Sequence, residues 1–154
     1  MRNTAIRYGL LFFAGLVTIF LSAYLLGLSD NYYLRFVNGI IHAVALYYGI
    51  KKLRLQEPQS LHNYVSGVSQ GLYVGAVGSF LFAIFVFLFL YNAPGLMAQL
   101  QASTKVGAAL TPITSGVIVF MEGIAVSLIG SYVLTRYVDA RLEAKQGAGS
   151  VYAG

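Results

Sequence analysis

Two of the residues able to do acid–base or ligand chemistry lie inside long apolar runs: His42 and Glu122. A charged side chain at the centre of a membrane helix costs about 2.5–3.5 kcal/mol on insertion scales, so such a residue faces the bundle interior and finds a partner. Counted inward along helices from Tyr32 and Ile113, the two residues lie at roughly 15 Å and 14 Å. That common level is near the middle of a hydrocarbon core about 30 Å thick. The expectation is therefore an inward Glu122 with His42 as its partner. Asn38, one turn from His42, joins the network, and Ser79 and Thr18 fall at the same depth. Arg35 is expected to snorkel to the outer interface beside Asp30. Three chemistries remain open for this constellation. One is a structural polar clasp, another a proton, cation or small-ligand site, and the third a contact with a partner subunit.

Other chemistries find little to stand on. There are no cysteines, which excludes disulfides, thiolate metal sites and cysteine nucleophiles. A histidine and a carboxylate do not make a metal site. The second histidine, His62, lies at the cytoplasmic interface, so neither a metal centre nor haem ligation by a histidine pair is expected, and no cofactor is. No H-E-x-x-H, phosphate loop or G-x-S-x-G is present. Four of the five acidic residues, Asp30, Glu57, Asp139 and Glu143, sit at membrane margins or in loops. The expectation is a protein that is not an enzyme.

The elements that must position these residues follow from hydropathy. The chain has 154 residues, 58% of them hydrophobic and only 10% charged, with a mean hydropathy of +0.72. A soluble domain is nearer 45–50% apolar and about 25% charged. Spanning helices need about 20 mostly apolar residues. Four runs qualify, at about 8–28, 32–50, 68–91 and 113–137. The reading is an all-α, multi-pass membrane protein with four transmembrane helices in an antiparallel bundle, one domain over 1–145 and a flexible tail over 146–154. The first run is too long for a cleaved signal peptide and lacks an A-x-A site, so it is read as a retained helix.

Eight of the ten basic residues fall on one side: Arg2, Arg7, Lys51, Lys52, Arg54, Arg136, Arg141 and Lys145. Arg35 and Lys105 fall on the other. The positive-inside rule then puts both termini and the middle loop in the cytoplasm. The net charge of +5 is a topology signal, and no nucleic-acid partner is expected. Tyrosines mark both interfaces, with Tyr8, Tyr47, Tyr48, Tyr73, Tyr132 and Tyr137 at one and Tyr32, Tyr33 and Tyr91 at the other. From Pro58, "EPQSLHNYVSGVSQGLY" reads as an interfacial helix running straight into the third span. Between Pro94 and Pro112, Leu96, Met97, Leu100 and Leu110 suggest a short amphipathic helix at the outer surface. No internal repeat supports an inverted-repeat transporter within one chain.

In "SGVSQGLYVGAVGSFLFA", Gly67, Gly71, Gly75, Ser79 and Ala83 recur every fourth residue. Glycine within a helix costs about 1 kcal/mol in water, but in lipid small residues let helix backbones approach closely. Gly123, Ser127 and Ser131 form a shorter ridge on the fourth span. The two ridges are expected to meet inside the bundle, with self-association as the next choice.

The order of these features resembles the domain-of-unknown-function 4199 family. The resemblance rests on "IRYGLLFFAGL", "QSLHNYVSGVSQGLYVG", "LYNAPGLMAQL" and "EGIAVSLIGSYVLTR" and covers about residues 3–142. It implies a small bacterial membrane protein with four helices and brings no activity with it. The leading functional expectation is action by association in the lipid bilayer, as a homo-oligomer or as an accessory subunit with other membrane proteins. The alternatives are a small transporter or channel using Glu122 and His42, and a lipid- or quinone-type binding module built on Phe80, Phe82, Phe85, Phe87 and Phe89.

Overall fold

A computed structural model describes residues 2–27, 33–103 and 107–151. Among them are five α-helices and no strand. They are α1 (Arg2–Leu25), α2 (Tyr33–Gln56), α3 (Tyr64–Asn92), α4 (Pro94–Ser103) and α5 (Pro112–Val151), with short 3₁₀ turns at Pro58–His62 and Gly107–Ala109. Asp30, Tyr32 and Lys105 lie outside the described residues, as do the side chains of Tyr33, Arg35 and His62.

Local chemistry sets the helix ends. Past α1, Gly27 adopts φ 67°, the left-handed conformation that closes a helix. At the start of α5, Pro112 fills the first turn. Thr111 and Thr114 cap each other, Thr111 Oγ1 accepting from Thr114 N at 3.1 Å and Thr114 Oγ1 accepting from Thr111 N at 2.7 Å.

Among the described residues three helices, not the expected four, are long and apolar enough to cross a membrane: Arg2–Leu25, Tyr64–Asn92 and the Pro112–Lys145 part of α5. α2 has the length, but Arg35, Asn38 and His42 lower its apolarity in the first half, and Lys51, Lys52 and Arg54 fill its last turns. The expected continuous lead-in to α3 is also corrected. The 3₁₀ turn ends at Asn63, whose extended backbone (φ −120°) breaks the helix and whose side chain accepts from Ser66 N at 3.3 Å. Asparagine competes for the backbone N–H groups of a helix start, so it caps one rather than continuing it. The segment expected as an amphipathic helix at the outer surface is helical as α4, with Met97 buried. α5 runs to Val151.

α2 and α3 form the short diagonal of a four-helix arrangement in which α1 and α5 each pack against both. Thr4 of α1 bonds Gln56 of α2 at 3.0 Å, so these two run antiparallel. α1 and α3 run parallel: Gly9 abuts Val74 and Val77, while Phe20 meets Phe82, Phe85 and Phe89 edge-on. Phe82 is buried in this cluster, and Phe85 packs against the same core. α3 and α5 run antiparallel along the two small-residue ridges, which meet inside the bundle.

The pairing is regular. A Cβ on Gly67 would come within 2.5 Å of Thr135 Cγ2, and one on Gly71 within 2.8 Å of Ser131 Cβ. One on Gly75 would collide with Ser127. The roles then exchange: a Cβ on Gly123 would come within 2.5 Å of Ser79 Cβ, and one on Gly116 would sit 3.1 Å from the Ala83 carbonyl. Small faces small along the two ridges, so the backbones approach more closely there than larger side chains would allow. Thr135 and Gly116 extend the α5 ridge beyond the three positions expected from sequence.

Candidate functional site

Five core-facing positions on α5 repeat at four-residue spacing: Gly123, Ser127, Ser131, Thr135 and Asp139. Gly123 is partly exposed, and the other four are buried. Together they lay a small, polar stripe along the inside of the bundle. The stripe has two polar contacts with α2, one near mid-helix and one at the basic end.

The first contact is His42, 7% exposed, whose Nε2 lies 2.7 Å from Ser127 Oγ. Ser127 donates its hydroxyl proton to the Gly123 carbonyl at 2.6 Å. A hydroxyl has one proton to give, so the network assigns His42 Nε2 as the donor. The imidazole also lies 4.3 Å, centroid to centroid, from the Phe12 ring of α1. His42 thus ties α1, α2 and α5 together.

The second contact is an ion pair between Arg54 and Asp139, which are 1% and 4% exposed. Arg54 Nε donates to Asp139 Oδ1 at 2.8 Å and Nη2 to Oδ2 at 2.9 Å, a bidentate fork. The remaining nitrogen, Nη1, donates to Ser66 Oγ at 2.8 Å, to the Asn63 carbonyl at 3.3 Å and to the Ser60 carbonyl. One guanidinium thereby fastens the end of α2 to the 3₁₀ turn, the start of α3 and α5. The sequence puts Asp139 at a membrane margin or in a loop and Arg54 among the basic residues after the second run, and hydropathy does not reveal the pair, because each lies beyond the apolar run it follows. The signal was the four-residue stripe on α5, which continues through Thr135 to Asp139.

Glu122 is not the partner of His42. It is exposed on the outer side of α5, and it makes no hydrogen bond or ion pair among the described residues. One helical step is 100°, so the side chain next to inward Gly123 turns away from the core. Thr18 is exposed on α1 and bonds its own helix, donating to the Ala14 carbonyl at 2.8 Å. Asn38 is half-buried, with its Oδ1 unpartnered, and Ser79 is buried against Gly123, with its hydroxyl also unpartnered. The five residues expected as one intramembrane cluster therefore separate into His42 and Ser79 inside, Glu122 and Thr18 outside, and Asn38 between. No group of three metal-ligating side chains occurs among the described residues.

The fold is that of an all-α protein with three helices fit to cross a membrane, held by a small-residue interface and two buried polar contacts. The chain belongs to the family described as Protein of unknown function (DUF4199), which matches residues 7–111. The match runs from α1 past the end of α4 and stops before α5, so it does not reach the closing "EGIAVSLIGSYVLTR". The α5 half of the ridge interface and Asp139 lie outside it. No curated protein and no solved structure matches the chain.

Proposed function

We propose that this is a non-enzymatic integral membrane protein that acts by association, as an accessory subunit of a membrane complex or as a homo-oligomer. The observation that carries this reading is the outward Glu122 on an otherwise uncharged stretch of α5, from Pro112 to Thr135. An ionisable residue in hydrocarbon normally pairs within its bundle or lines a water-filled cavity, and here its own bundle offers it neither. The small-residue ridges pack on each other inside the chain and do not support oligomerisation.

The topology follows from the same bundle. α1 and α3 run parallel, so if both cross the bilayer the chain must return between them, and α2 is the segment that lies alongside them. α2 serves as the return crossing because two of its polar residues, His42 and Arg54, are buried against protein. Eight basic residues of α1, α2 and α5 lie at one end of the bundle, which supports the reading that both termini are on the cytoplasmic side of an inner membrane. Transport through a Glu122–His42 pair is disfavoured by the separation of the two residues. Three of the third-span phenylalanines, Phe82, Phe85 and Phe89, pack against Phe20, which favours packing over a quinone-sized site.

Direct extraction from membranes into lipid nanodiscs tests the reading. Particles holding more than one protein chain, whether a second copy or another protein, are expected. Particles that hold one chain at native expression would contradict association.

A further inference from the structure

Resting on association as the mode of action, the geometry points to the Glu122 face of α5 as the docking surface for a transmembrane helix of another protein, one that carries a basic side chain near mid-membrane. The face is built from Ile118, Glu122, Ala125, Val126 and Ile129, positions that share one side of a helix at three- and four-residue steps. All five are exposed, Ile129 by 68%. Glu122 lies at mid-depth by an internal measure. Its neighbour Gly123 abuts Ser79, which sits near the middle of the 29-residue α3. The face is therefore apolar above and below a single acidic group, at the level where water is scarcest.

Charge complementarity selects the occupant. A carboxyl at this depth is matched by a Lys, Arg or His that also needs relief from hydrocarbon, and the pair forms a charge-assisted hydrogen bond. A second copy of this chain supplies no such group at that level among the described residues. His42 is buried, and the described basic side chains cluster at the far end of the bundle. Two copies meeting through this face would bring acid to acid. Ala125, one turn from Glu122, gives a shallow place for a partner backbone to approach.

The test uses the purified full chain in phosphatidylcholine vesicles and two synthetic transmembrane peptides. One is an oligo-leucine helix with a single central lysine, the other its all-leucine counterpart, and association is read by energy transfer from labels at the helix ends. The lysine peptide is expected to associate about tenfold more tightly than the leucine peptide. That preference should vanish in Glu122→Leu and shrink in Glu122→Gln, with circular dichroism confirming unchanged helicity, since the residue is exposed. Equal association of the two peptides with the wild-type chain, or a lysine preference that survives Glu122→Leu, overturns the proposal. Glu122-dependent energy transfer between copies of the chain also overturns it, by assigning the face to a second copy while leaving association intact. If the chain meets its partner elsewhere, nanodisc particles still hold several chains while the lysine preference is absent, which separates failure of this face from failure of association.

Discussion

At the residue scale two buried polar side chains, His42 and Arg54, form joints between helices, and buried polar groups differ in what losing them would do. Removing one member of a buried ion pair leaves the other uncompensated, which costs about 3–5 kcal/mol. Arg54→Met should therefore destabilise the fold by that amount in a mixed-micelle unfolding titration. The double change Arg54→Met with Asp139→Leu should recover most of the loss, because replacing both charges by apolar groups of similar size is often nearly neutral. The hydroxyls of the α5 stripe divide the same way. Ser127 accepts from His42, so Ser127→Ala strands a buried donor and should cost about 1–3 kcal/mol. Ser131 is buried with no hydrogen-bond partner, so Ser131→Ala should be neutral or slightly stabilising in the same titration. Sequence alone made His42 and Ser79 legible as inward residues, because depth and periodicity are local. It misassigned Glu122, because which side of a helix faces the core depends on where the neighbours pack. The hydropathy that marks Glu122 as unusual is the same on either side.

At the scale of elements, the ridge contact between α3 and α5 decides how the bundle closes. Gly71→Leu and Gly75→Leu should each cost about 3 kcal/mol or more, above the usual range for an overpacked core, because a side chain there meets Ser131 or Ser127 rather than a void. The expected readout is loss of the folded band on mild-detergent size exclusion, together with loss of helicity. Loss of assembly with the fold intact would instead place the ridge on an outer surface. The pairing of the two ridges was readable in advance, since four-residue spacing of small residues has few other uses in lipid. The true helix lengths were not. α2 and α5 continue well past their apolar runs, and in those extensions local polarity resembles a loop while tertiary partners keep the helix going. Arg54 and Asp139 hold the two extensions together, which is why a hydropathy reading loses the helices and the clamp at once. Asn63 shows the reverse case, where one side chain stops a helix that apolar periodicity would have continued.

At the scale of the whole molecule, topology and association can be tested in the native membrane. The absence of cysteine makes single-cysteine labelling clean. With α2 as the return crossing, Gln59→Cys and Lys145→Cys should react with a membrane-impermeant maleimide only from the cytoplasmic side, and Gln99→Cys only from the opposite side. Reaction of Gln59→Cys and Gln99→Cys from one side would remove the α3 crossing. Membrane character was the most legible property of all, because it depends on composition rather than on packing. What the protein meets in the membrane was least legible, because it depends on the face left over once the bundle has formed. The most direct test of association is photocrosslinking in intact membranes from a reactive residue at Ile129, on the Glu122 face, with Ile6 on the outer side of α1 as the comparison. Association through α5 predicts a discrete protein adduct from position 129 and lipid adducts alone from position 6. Lipid adducts alone from both positions would contradict it.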